Sequence, residues 1–112
     1  MFVPFERQYG MLKFRETDVF SIWLAGLRDA RAKAHVLRRL VRAASGNFGD
    51  VAPVGEGVSE MRINEGAGYR VYFSRHGDVV YILLCGGDKK SQPRDIATAK
   101  RLWADINRSE SK

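Results

Sequence analysis

Four cations, a carboxylate and a phenol recur at strand-like spacing in the second half of the chain: Glu60 and Arg62, Arg70 and Tyr72, then Lys89-Lys90. A guanidinium binds phosphate through a planar fork, and a lysine adds a compact point charge. Metal-free RNA cleavage uses the 2′-hydroxyl as nucleophile. It needs a proton acceptor, stabilisation of the phosphorane, and help for the departing 5′-oxygen. Arg62 and Arg70 suit the charge, and Lys89 or Lys90 suits the leaving oxygen. Glu60 is the first choice of base and Tyr72 the second. No His/Cys/Asp cluster has metal-ligand spacing and no serine sits in a nucleophile motif. Neither a metal nor an organic cofactor is expected.

Size and charge fit such a task. The chain has 112 residues, 45% of them hydrophobic, which suits one globular domain with a buried core. Lysine and arginine outnumber acidic residues 19 to 13, for a net charge of +6. That balance favours phosphate-rich or acidic partners. The excess is spread along the chain, so it belongs to the folded surface and not to a tail. The single cysteine, Cys85, excludes an internal disulfide and reads as a small buried hydrophobe at a strand end. No apolar run approaches a membrane span and residues 1–10 lack a secretory core, so the expected location is cytoplasmic.

Three strands must position the polar groups: Val58–Ile63, Tyr69–Arg75 and Val79–Cys85. Ahead of them, Gln8–Arg15 reads as a strand with Leu12 and Phe14 on one face and Met11, Lys13 and Arg15 on the other. Thr17 or Asp18 can cap a helix carrying Phe20, Trp23, Leu24 and Leu27. Gly26 and Asp29 suggest a break before a second helix over about 30–44, with an apolar stripe of Leu27, Ala30, Ala34, Leu37, Val41 and Ala44. Beside it runs a basic stripe of Arg28, Arg31, His35, Arg38 and Arg42, suited to a solvated face, an acidic protein partner or a nucleic-acid backbone. Residues 45–57 read as a Gly-rich loop. A C-terminal helix, capped by Ser91 with Pro93 in its first turn, presents Ile96, Ala99, Leu102, Trp103 and Ile106. The tail from Ser109 is expected to fray.

Register decides which side chains meet. A five-residue loop over 64–68 pairs Ile63 with Tyr69, Arg62 with Arg70, Met61 with Val71 and Glu60 with Tyr72; a four-residue loop would mix charge into the apolar face. A two-residue turn at His76-Gly77 would then place Val71, Phe73, Val80 and Ile82 under the helices. Glu60, Arg62, Arg70, Tyr72 and Tyr81 would share the opposite, open face. Facing arginines repel, by up to about 1 kcal/mol, unless an anion lies between them. An exposed salt-bridge ladder with Glu60 is the plainer alternative.

The chain resembles the RelE/ParE superfamily of toxins from bacterial toxin–antitoxin modules, and most of all its HigB-like addiction-module killer proteins. The resemblance rests on Asn47–Val51, Gly57–Arg62, Gly68–Phe73 and Leu83–Gln92 followed by Arg94-Asp95-Ile96, and it covers nearly the whole chain. It implies an α+β fold: a helical hairpin and a C-terminal helix on a mostly antiparallel four-stranded sheet. It implies a type II toxin, for RelE-like and HigB-like members a ribosome-dependent mRNA endonuclease. The cognate antitoxin would carry a helix-turn-helix domain through which operator DNA is bound. Arg70 matches the arginine of the family's Tyr-Arg strand at the RNA phosphate, Arg62 falls near the basic residues of the preceding strand, and Lys89 and Lys90 match the basic pair after the last strand. Gln92 and Arg94 extend the expected RNA contact. Glu60 stands where RelE-like members are basic, Ile96 near their active-site tyrosine, and neither histidine where histidine-using members have theirs. The antitoxin is expected over the cationic face or along Arg28, Arg31, Arg38 and Arg42.

Two other classes stay open: a ParE-like inhibitor of DNA gyrase on the same fold, and a nucleic-acid-binding module without catalysis.

Overall fold

Two strands precede the first helix, where sequence patterning suggests one. A computed structural model describes residues 2–8, 12–77 and 80–110. The order is β1 (Phe2–Gln8), β2 (Lys13–Thr17), α1 (Asp18–Ala25), α2 (Ala30–Ala44), β3 (Val51–Gly55), β4 (Val58–Ile63), β5 (Tyr69–Arg75), β6 (Val80–Gly87) and α3 (Gln92–Glu110). One six-stranded sheet runs β1-β2-β6-β5-β4-β3. The class is α+β, but the four expected strands are six, and β2 pairs with β6 in parallel, making the sheet mixed. The expected strand over 8–15 divides: Gln8 ends β1, Met11 lies outside the described residues, and β2 starts at Lys13. Val79 also lies outside them. No helix among the described residues is long and apolar enough to cross a membrane.

Local chemistry explains the helical hairpin. The Thr17 hydroxyl accepts from Phe20 N–H at 3.1 Å, and the Asp29 carboxylate accepts from Arg31 and Ala32 N–H, each at 3.1 Å. These caps satisfy first-turn amides that have no partner within the helix. The Thr17 hydroxyl also donates to the Leu84 carbonyl at 2.6 Å, fastening the start of α1 to β6.

Three expectations are corrected here. Residues 51–55 form edge strand β3 within the stretch read as loop, and its Pro53 is tolerated because an edge strand has a free side. The buried face of α2 is Ala32, Val36, Leu40, Ala43 and Ala44, while Val41 is 46% exposed and Ala30 is exposed. Ala32, Val36, Leu40 and Ala43-Ala44 recur at i, i+4 and i+3 spacing, one helical face turned away from the expected stripe. Finally, α3 continues through Ser109 and Glu110.

The β4–β5 ladder has the register deduced from the loop over 64–68: Glu60↔Tyr72, Met61↔Val71, Arg62↔Arg70 and Ile63↔Tyr69. The β5–β6 ladder does not. Arg75 pairs with Tyr81, and His76 N–H reaches the Val80 carbonyl at 2.8 Å, so the connection is wider than a two-residue turn. A bulge between Tyr72 and Phe73 then places Leu84 and Cys85 on one side.

Helices therefore cover both faces of the sheet. Phe14, Phe20, Leu24, Val36, Leu40, Met61, Ile63, Val71, Phe73 and Leu83 form the core under α1 and α2, with Tyr81 packed against it. Val58, Tyr72, Ile82, Leu84, Cys85, Ala99, Leu102 and Ile106 form a second core under α3. Val80 and Ile82 belong to this second core, not beneath the hairpin, and Trp103 packs there too. The face carrying Glu60, Arg62, Arg70 and Tyr72 is the one α3 crosses, and Tyr81 is not on it.

Candidate functional site

Glu60 is the centre of this polar face. Its carboxylate is 2% exposed and receives Arg62 Nε at 3.1 Å on Oε1, with Tyr72 OH at 3.0 Å and Gln92 Nε2 at 2.7 Å on Oε2. Arg70 Nε stands 3.4 Å from Oε2, an ion pair without hydrogen-bond alignment. Burial pushes the Glu60 carboxyl up, but donation from Gln92, Arg62 and Tyr72 and the charge of Arg70 outweigh it and hold it below the usual range. Burial, and then the bond to Glu60, pushes the Tyr72 phenol far above its ordinary value. Glu60 is thus an anion held by donors, and Tyr72 is one of the donors. Neither geometry suits a base that must meet a substrate proton. Gln92 points inward to Glu60 and away from any surface partner.

The two arginines differ. Arg62 is held by a second carboxylate, Asp50 Oδ1, at 3.2 Å, and its donation to Glu60, with the charge of Asp50, raises its pKa further. Its backbone is fastened as well: Arg62 N–H donates to the Asp50 carbonyl at 2.9 Å, and Arg39 of α2 donates to the Arg62 carbonyl. Arg39 also reaches the Phe48 carbonyl at 3.0 Å. Sequence reasoning passed over Arg39, whose one signal is its position beside the exposed basic stripe. Arg70 shares Glu60 with Arg62 and donates Nη1 to the Gly68 carbonyl at 3.1 Å, with its side chain 13% exposed.

The Arg70 guanidinium and the Lys89 stem flank Gly68. A Cβ there would lie 3.6 Å from Lys89 Cβ and 3.7 Å from Arg70 Nη1, and the backbone φ of +75° favours glycine as well. With the loop over 64–68, the two side chains line a cavity of about 290 Å³. Lys90 and Arg94 line a separate, larger cavity. Asp88 shapes this turn: its Oδ1 accepts from Ser91 N–H at 3.0 Å and Lys90 N–H at 2.9 Å, which holds its carboxyl below the usual range. Ser91 Oγ accepts from Asp88 N–H at 3.2 Å and donates to Asp95, so its side chain braces the turn before α3 and does not cap a first-turn amide as expected.

Arg31, Arg38 and Arg42 on α2 and Arg28 just before it are exposed. One end of the stripe is tied to the β4–β5 loop, with Glu65 3.9 Å from Arg31 and 3.4 Å from His35. Among the described residues, no three His, Cys, Asp or Glu side chains come together to hold a metal ion.

Over 95 residues, 85% of this chain and 96% of the other, the sequence is 47% identical to an uncharacterized protein of Haemophilus influenzae. The chain belongs to that protein's family. Because the alignment takes in nearly the whole Haemophilus protein, the likeness extends beyond one motif. No family model matches the chain.

Proposed function

We propose that the protein is the toxin of a type II toxin–antitoxin pair, acting in the cytoplasm as an endonuclease on ribosome-bound mRNA, as its RelE/ParE resemblance implies. The observation that carries this reading is that the Arg70 guanidinium and the Lys89 stem flank Gly68 and line one open cavity. Arg62 holds hydrogen bonds to both Glu60 and Asp50, whereas Arg70 meets Glu60 only through the unaligned contact and its Nε makes no hydrogen bond. Arg70 and Lys89 are therefore the cations best placed for a phosphate, with Lys90 on the same turn. A guanidinium already held by Glu60 and Gly68 has little freedom to lose when it meets the phosphorane, which is the condition for strong electrostatic stabilisation. Lys89 is then the donor for the leaving oxygen. Glu60 positions the arginines and accepts no substrate proton. Arg28, Arg38 and Arg42 offer an acidic antitoxin segment a docking line along α2.

The burial of Glu60 and Tyr72 also favours a second reading, a ParE-like inhibitor of gyrase that uses the fold without cutting RNA. Induced expression separates the two. Primer extension should reveal new 5′ ends within translated messages, with plasmid supercoiling unchanged. Growth arrest with intact messages and relaxed plasmid would establish the gyrase reading in its place.

A further inference from the structure

A second cavity, about 580 Å³, opens between α1, the start of β5, the end of β6 and the turn into α3. Its walls include Trp23, Leu27 and Tyr69, and its polar rim includes Asp88, Lys90, Arg94 and Asp95. Trp23 is fixed in place: a Cβ on Gly86 would land inside its indole, so the ring rests on bare backbone of β6, and Phe20 packs against it at 5.7 Å between centroids. The two cavities are divided by single residues, since Tyr69 lines one and Arg70 the other, and likewise Lys90 and Lys89. Their chemistry differs. Two carboxylates in the larger rim oppose a bare anion, whereas aromatic walls with both donors and acceptors at the edge suit a flat, polar-edged heterocycle. A pocket of this size and lining is ordinary for small-molecule recognition.

We propose that this cavity receives one unstacked nucleobase of a single-stranded RNA, stacked on Trp23 or Tyr69, while the adjoining phosphate lies on Arg70 and Lys89. The inference rests on the RNA-directed reading above and gives it a substrate class: unpaired RNA, engaged through base as well as backbone. Single strands are commonly held by such a pairing of aromatic platform and cationic groove.

The test compares fluorescein-labelled octa-adenylate with an abasic ribose-phosphate octamer of equal charge, by fluorescence anisotropy. Wild-type protein should prefer octa-adenylate by about 5- to 150-fold, the worth of one stacked base. Trp23→Leu and Tyr69→Leu, which keep apolar bulk, should lose most of that preference while binding the abasic octamer unchanged, and Trp23→Phe should retain part of it. Arg70→Ala should weaken both octamers. Equal wild-type affinity for the two octamers would overturn the base pocket and leave the phosphate site standing, even were the leucine variants unable to fold. An undiminished preference in folded Trp23→Leu and Tyr69→Leu would do the same. Failure to bind either octamer would overturn this inference, while the reading as an endonuclease on ribosome-bound mRNA is decided separately by primer extension.

Discussion

Replacing Glu60 with glutamine removes one charge from a site that holds three donors and a second arginine. The amide oxygen can still serve Tyr72 and Gln92, but its NH2 group must then face Arg62 Nε, a donor against a donor. Hydrogen bonds to a charged acceptor are worth about 1.5–3 kcal/mol and neutral ones about 0.5–1.5, so the two bonds retained on Oε2 lose roughly 1 kcal/mol each. Restored repulsion between Arg62 and Arg70 adds up to about 1 kcal/mol. Arg62 is 38% exposed and keeps Asp50, so it can turn to water in place of its lost bond. The expected loss therefore stays about 3 kcal/mol, at the lower end for breaking a buried pair. In a domain this size that is a fall in Tm of roughly 10–15 °C. Acid supplies an internal check. The Glu60 carboxyl is lowered on folding, so its contribution is present above the ordinary glutamate value, about 4.3, and is lost as pH falls through the lowered value, where the unfolded chain binds more protons. Urea titrations from pH 7 to pH 3 should therefore show the gap between wild type and Glu60→Gln closing in acid. A gap absent at pH 7, or unchanged down to pH 3, would refute the role given to Glu60. Kinetics adds a second criterion: a positioning role predicts weaker RNA binding along with slower cleavage, whereas loss of a base slows cleavage alone.

Other perturbations follow from the same contacts. Gly86→Ala drives a methyl group into the Trp23 ring and should destabilise the fold by about 1–3 kcal/mol, seen as a lower urea midpoint. Arg39→Met strips the Arg62 and Phe48 carbonyls of a donor and should cost about 1–3 kcal/mol per carbonyl left buried and unsatisfied, by the same measurement. Burial, and then the charge of Asp95, pushes the Cys85 thiol up to about 12, so a disulfide reagent at pH 8 should react with it only after denaturant is added. Arg70→Ala and Lys89→Ala should each reduce the slope of log affinity against log salt for single-stranded RNA by about 0.7, one phosphate contact apiece.

Sequence alone carried the β4–β5 register, because the apolar residues Met61, Ile63 and Val71 leave one pairing that keeps charge off their face. The two helix caps were legible for a similar reason, as short oxygen-bearing side chains stand where the apolar stripes begin. The β5–β6 register was not. His76-Gly77 resembles a tight turn, but the pairing of Arg75 with Tyr81 and the bulge beyond Tyr72 come from packing β6 against helices on both sides. Residues read as solvated therefore lie under α3, and Glu60 changes from a base at an open surface to a buried anion. No local pattern announced that Gln92 would turn in to meet it across 32 residues of chain.

Central to this account is a guanidinium at Arg70 held ready for RNA phosphate. Primer extension on mRNA from reactions containing ribosomes and either wild-type protein or Arg70→Ala, with circular dichroism to show that both are folded, tests it most directly. Cleavage by the variant is expected to fall by about 100- to 1,000-fold, comparable to losing one oxyanion-hole donor. A folded Arg70→Ala protein that cuts at the wild-type rate would contradict it.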